Sequence, residues 1–261
     1  MVNRQTFRFA RVHPNTGNPP FPSNLNNRIT SGNLRQRGSL NLREQARNIV
    51  RNQNYNGDDY YYFTYVTEIV EDDIELDNQG NDQQIQVELR RTQRVAYFDG
   101  GGYIFETNED INDDRLAGFI LDKAPVGASE FTVYDEIDQQ YLRQRYASAT
   151  EVRKISFENI GDNNPSNPIE TEIDQLGQEA ESAKFSTGHY HNNLNQSQLV
   201  TSFASRCDID SFSVVKSNSN RTVIYDSNGS VATSFPENAQ PSQEVAPILN
   251  DTYDVLDYLT P

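Results

Sequence analysis

Apolar and polar residues alternate over several short runs of the chain, which is the pattern of half-buried β-strands. The clearest run, residues 60–70, reads YYYFTYVTEIV and is rich in the aromatic and β-branched side chains that favour strands. DGGG at 99–102 supplies the positive φ of a tight hairpin, whereas the acidic run over 71–82 predicts a loop. Predicted strands cover residues 6–12, 60–70, 83–98, 103–107 and 130–135, with two or three short strands around an SNG turn within 212–235.

Other segments repeat apolar residues every three or four positions, which is the spacing of one helix face. Residues 39–51 fit this pattern, with Ser39 as a candidate N-cap. On such a helix Arg43, Arg47 and Arg51 would form a basic stripe opposite the apolar face, since they lie at i, i+4 and i+8. The other predicted helices cover residues 111–121, 137–149, 170–185 and 194–207, and one helical turn is predicted near the C-terminus.

These elements predict an α+β fold, with a largely antiparallel sheet, helices grouped beside it and a basic N-terminal arm. GDNNPSNP at 161–168 is a strong structure breaker and the best candidate for a subdomain boundary. The predicted organisation is a basic strand, arm and helix at 1–51, an α+β core at 52–160, a mixed second half at 161–236 and an acidic tail at 237–261.

Composition narrows the class of protein. With 261 residues, 14 Tyr and 13 Phe, the chain can bury a sizeable core, although its hydrophobic share is only 35%. No run of about 18 apolar residues occurs, so no membrane helix is predicted. Cys207 is the single cysteine, which favours a reducing cytoplasm or a particle assembled inside the cell. The low lysine content and the pI of 4.5 resemble proteins from high-salt cytoplasms, such as those of haloarchaea, in composition alone.

Charge is distributed very unevenly along the chain. The formal net charge is −16, yet residues 1–51 hold nine arginines and a single acid, Glu44, for a net charge of +8. Such an asymmetry predicts that the basic end meets an acidic partner or a nucleic acid.

Three groups of basic residues are the candidate binding residues. Arginine pairs with phosphate or carboxylate groups and stacks on bases, and tyrosines interleave with the last group. Two readings stay open, because the arginines could contact nucleic acid or could pair with carboxylates of this chain or of a neighbouring copy. The groups are Arg35, Arg37, Arg43, Arg47 and Arg51; Arg90, Arg91 and Arg94; and Arg143, Arg145, Arg153 and Lys154.

Catalytic signals are weak. His189 and His191 would point to one side of a strand and could contribute to a metal site, but zinc needs three or four protein ligands. A polar loop between two helices is the preferred interpretation of that segment, so we predict no metal and no cofactor. GxSxG, HExxH, CxxC and phosphate-loop patterns are all missing from the sequence.

The sequence therefore predicts a non-enzymatic interaction or assembly protein, whose basic N-terminal segment docks on an acidic surface of a second copy or an assembly partner. Such a protein could serve as a viral, defence or mobile-element accessory. A nucleic-acid-binding protein using the clustered arginines is the first alternative. A metal-dependent hydrolase around His189 and His191 is the second, and no membrane partner is expected.

Overall fold

The computed structural model divides into two compact units, which are described separately. Unit 1 comprises Met1–Phe9 and Val133–Pro261, and unit 2 comprises Ala10–Thr132. The breaker at 161–168 falls within the bounds of unit 1. The structure describes residues 2–14, 33–37, 40–76, 82–108, 113–123, 128–160, 165–187, 193–216, 221–236 and 241–260.

The strands and helices of unit 1 follow one another closely along the chain. The strands are β1 (Val2–Pro14, through residue 9), β8 (Glu136–Ile137), β9 (Val152–Glu158), β10 (Ser182–Ser186), β11 (Asp208–Lys216), β12 (Arg221–Asp226), β13 (Ser230–Pro236) and β14 (Leu259–Thr260). The helices are α2 (Gln139–Ser148), α3 (Pro168–Gly177), α4 (Gln198–Arg206) and α5 (Pro241–Thr252), with 3-10 helices at Leu194–Gln196 and Tyr253–Tyr258.

One antiparallel sheet with the strand order β10–β9–β11–β12–β13–β1 forms the frame of unit 1. Successive residues of a strand face opposite sides, so the register produces alternating rows across the sheet. An apolar row packs beneath helices, with the Phe203 ring of α4 5.1 Å from Phe185 and the Tyr146 ring of α2 6.2 Å from Phe212. The apolar row consists of Phe185, Ile155, Phe212, Tyr225, Val231 and Phe7, and the next row of Lys184, Ser156, Ser211, Asp226, Ser230 and Arg8.

Unit 2 is built on antiparallel strands in the order β6–β5–β4–β3–β2 and has an aromatic core. Strands β4 and β5 pair over 17 residues each, from Tyr60–Phe98 to Leu76–Asp82. Tyr65 is fully buried, and its ring lies 4.9 Å from that of Phe119 in the helix Asp113–Lys123. The elements are β2 (Asn33–Arg37), β3 (Leu40–Tyr55), β4 (Asp58–Leu76), β5 (Asp82–Phe98), β6 (Gly102–Glu106), α1 (Asp113–Lys123) and β7 (Ala128–Tyr134, whose last two residues belong to unit 1).

The helix predicted at 39–51 is wrong, because residues 40–51 lie in strand β3. Pairing with the strongly strand-forming β4 outweighs the helical spacing of its apolar residues. Arg43, Arg47 and Arg51 therefore form no helical stripe. Their strand is also irregular, since its register with β4 shifts once between Arg47 and Val50 and again before Gln53.

Two further predictions need correction. The loop predicted from residue 71 is wrong as far as Leu76, because β4 continues and pairs residue by residue with β5. The helix predicted over 170–185 ends at Gly177, and strand β10 follows it. Phe185 of this strand packs against Phe157 and Phe203, with ring centroids 6.0 and 5.1 Å away.

Most other elements confirm the sequence pattern. Gly100 and Gly101 of the DGGG turn have positive φ, and α2 and α4 fall within the predicted helices. The described residues form an α+β fold in which antiparallel sheet prevails over helix. Most of the expected basic arm, residues 15–32, lies outside the described residues. Within the described ranges, every helix is too short or too polar to cross a lipid bilayer.

Candidate functional site

An acidic pocket of about 540 Å³ opens at one edge of the unit 1 sheet. The ends of β9 and β12 and the start of β11 meet there because neighbouring strands run antiparallel. The start of α2 and the turn after β12 complete the wall. Six carboxylates line the pocket: Asp135, Glu136, Asp138, Glu158, Asp208 and Asp210.

Two buried isoleucines hold the acidic segments in place. Ile137 is 3% exposed and Ile209 is fully buried, and each stands between two acids of the pocket. The Gln139 side chain links the two segments, since its Nε2 donates to the Ile209 carbonyl at 3.0 Å and its Oε1 accepts from the Ile209 amide at 2.8 Å. Burial of the isoleucines thus turns the flanking carboxylates towards the open edge.

Asp210 occupies a bulge, because the pairing of β11 with β9 skips it between Ile209 and Ser211. Its carboxylate accepts a hydrogen bond from Ser156 Oγ at 2.8 Å. Its carbonyl accepts from the Ser227 amide at 2.7 Å, which ties the turn after β12 to the pocket.

Two arginines of unit 1 pair with carboxylates of the pocket. Arg8 forms an ion pair with Asp135. Arg143 Nη2 lies 3.4 Å from Asp208 Oδ1, and Asn159 Nδ2 donates to the other oxygen of Asp208 at 2.8 Å. Six carboxylates against two guanidinium groups leave a formal excess of four negative charges around the pocket. A cationic segment of a partner would find complementary charge there.

Asp138 also serves the helix, because it is the N-cap of α2 and accepts from the amides of Gln140 at 2.7 Å and Tyr141 at 3.3 Å. We expect Asp138→Ala to lower the free energy of unfolding by about 1 kcal/mol, whereas Asp138→Asn should cost far less because asparagine caps equally well. Chemical denaturation of both variants tests this. An equal loss in both would show that the charge, rather than the cap, is the important property.

Asp226 stands beside the pocket, and burial raises the pKa of its carboxyl group. The Asn228 amide, 3.2 Å away, lowers that pKa in part, and the charge of Asp210 raises it again. A folded-state pKa above the unfolded value means that ionised Asp226 disfavours the folded state. The free energy of unfolding therefore falls as pH rises from the unfolded pKa through the raised folded-state pKa.

Asp226→Asn should therefore be more stable than the wild type at pH 7, since asparagine keeps the acceptor oxygen but cannot ionise. The difference should vanish below the ordinary aspartate pKa of about 3.9. Urea denaturation of both proteins across this pH range provides the measurement. A difference in stability that does not change with pH would contradict the raised pKa of Asp226.

The predicted arginine group of α2 and β9 is used largely within unit 1. Arg143 Nε and Nη2 donate to the Ala204 and Cys207 carbonyls, each at 3.1 Å, and so cap the C-terminus of α4. Arg145 pairs with Asp254 and donates to Tyr141 Oη at 2.8 Å. Arg153 lies 2.6 Å from Glu151 and is 57% exposed, and Lys154 is exposed on β9.

In unit 2, the register places Arg47 and Arg94 on either side of Thr64 in one row across three strands. Arg94 Nη1 lies 2.8 Å from the buried Glu106 carboxylate, while Arg47 is exposed. Arg90 stands opposite Glu68 and Arg91 opposite Thr67 on β4. Arg35 and Arg37 lie on β2, and Arg43 and Arg51 on β3.

His189 and His191 lie outside the described residues. Among the residues that the structure does describe, no group of three or more His, Cys, Asp or Glu side chains is placed to hold a metal ion.

The pocket carboxylates were not predicted from the sequence. One signal could have drawn attention to them: isoleucine stands between two acids both in EID, residues 136–138, and in DID, residues 208–210. This short alternation marks a strand with a buried isoleucine and outward acids. It does not show that the two segments meet, because about 70 residues separate them.

Comparison of the sequence with protein-family models found no match. A search of curated proteins found no significant match either.

Proposed function

We propose that the protein is a non-enzymatic assembly protein, in which the acidic pocket of one copy receives the basic N-terminal segment of a second copy. The observation that carries the proposal is the formal excess of four negative charges around the pocket. The segment at 1–51 carries the opposite charge on the same chain, a net +7 without Arg8, which pairs with Asp135 of its own unit. Opposite charges on two surfaces of one chain favour association between copies.

The use of arginine in unit 1 supports docking on protein rather than on nucleic acid. Arg143 and Arg145 bind carbonyl and carboxylate oxygens of their own unit, so they offer little free charge to phosphates. The same pairs show that guanidinium groups fit carboxylates at and near this edge. A guanidinium from a second copy would bind Glu136 or Glu158 by the same chemistry.

Sedimentation velocity of the full-length protein tests the proposal. We expect self-association at low salt that weakens as salt rises, because the Debye length falls from about 30 Å at 0.01 M to about 3 Å at 1 M. Glu136→Lys with Glu158→Lys should weaken association by about tenfold or more. Glu172→Lys with Glu179→Lys is the matched control, since it makes the same charge change at exposed positions on and just after α3.

A charge-swap experiment identifies the partner surface. Arg43→Glu, Arg47→Glu and Arg51→Glu combined should also weaken self-association. Mixing this variant with the Glu136→Lys, Glu158→Lys variant should restore binding between the two, because each supplies the charge that the other lost. A wild-type protein that stays monomeric at low salt and high concentration would overturn self-docking, as would a mixture that fails to associate.

The same variants also test whether the protein binds nucleic acid. A gel shift that wild-type protein produces at low salt, and that the arginine-to-glutamate variant loses, would indicate phosphate contacts instead. In that case the pocket variant should bind nucleic acid at least as well as the wild type, since it carries fewer negative charges.

A further inference from the structure

We draw no further inference here: the strongest candidate, the edge strand β10 of unit 1 near the exposed side chains of Leu176 and Leu199, carries none because nothing in the structure shows what covers it.

Discussion

Replacing Asp251 by asparagine is expected to lower the free energy of unfolding by about 3 kcal/mol, the lower end of the cost of breaking a buried ion pair, because the two cations left behind are partly exposed. Asp251 lies in the last turn of α5 and is 1% exposed. Arg221 forms an ion pair with its carboxylate, Lys216 Nζ lies 3.4 Å from Oδ1, and Thr233 Oγ1 donates to Oδ2 at 2.7 Å.

The strand register explains why this carboxylate matters. Lys216 and Arg221 stand directly opposite each other on β11 and β12, and like charges in that position destabilise a sheet. Asp251 neutralises the pair and attaches α5 to the sheet. An asparagine would keep the hydrogen bond to Thr233 but leave two cations facing each other.

Asp257→Asn is the matched control, because Asp257 is exposed in the same C-terminal segment and its replacement should change stability by less than about 0.5 kcal/mol. Urea denaturation followed by circular dichroism measures both variants. If Asp251→Asn cost no more than Asp257→Asn, the buried ion pair would not be holding α5 on the sheet.

Replacing Gly229 by alanine is expected to cost about 2–5 kcal/mol, the sum of backbone strain and overpacking. Gly229 has φ +78°, and an added Cβ would lie 2.5 Å from the Tyr134 carbonyl oxygen and 2.9 Å from the Asp135 carbonyl carbon. Those atoms belong to backbone and cannot move aside easily. The turn carrying Ser227 and Asn228, which line the acidic pocket, would have to shift.

Gly100→Ala separates the two contributions. Gly100 also has positive φ, +93°, but nothing lies within 4 Å of an added Cβ, so alanine should cost only the strain of about 1–2 kcal/mol. Urea denaturation compares the losses, and hydrogen exchange at β12 and β13 locates the disturbance. Equal costs for the two variants would contradict the close approach of Gly229 to the Tyr134–Asp135 backbone.

Strand β3 is a case in which the local sequence pattern predicts the wrong secondary structure. Its apolar residues recur at helical spacing, yet the structure has a strand whose Glu44 carboxylate accepts from Tyr65 Oη at 2.9 Å. Backbone pairing with β4 decides the outcome, and a sequence read in short windows contains no information about that partner. The acidic end of β4 became a strand for the same reason.

The acidic pocket depends even more on long-range order. Glu158, Asp208 and Ser227 are about 20 to 70 residues apart along the chain and meet only because β9, β11 and β12 share one sheet edge. The arginines of α2 illustrate the converse. Their sequence pattern predicts an exposed basic patch. In the folded protein, however, Arg143 donates to a carbonyl at the end of α4 and Arg145 pairs with Asp254.

The sequence by itself determined the features that depend on near neighbours. Alternation identified most strands, glycine marked the turns at 99–102 and 227–229, and the count of charged residues defined the basic end of an acidic chain. Tertiary structure decided the strand state of β3, the extra strand β10 and the gathering of six carboxylates around one pocket. The physical reason is that these features require hydrogen bonds and packing between segments far apart in the chain, which local propensity does not encode.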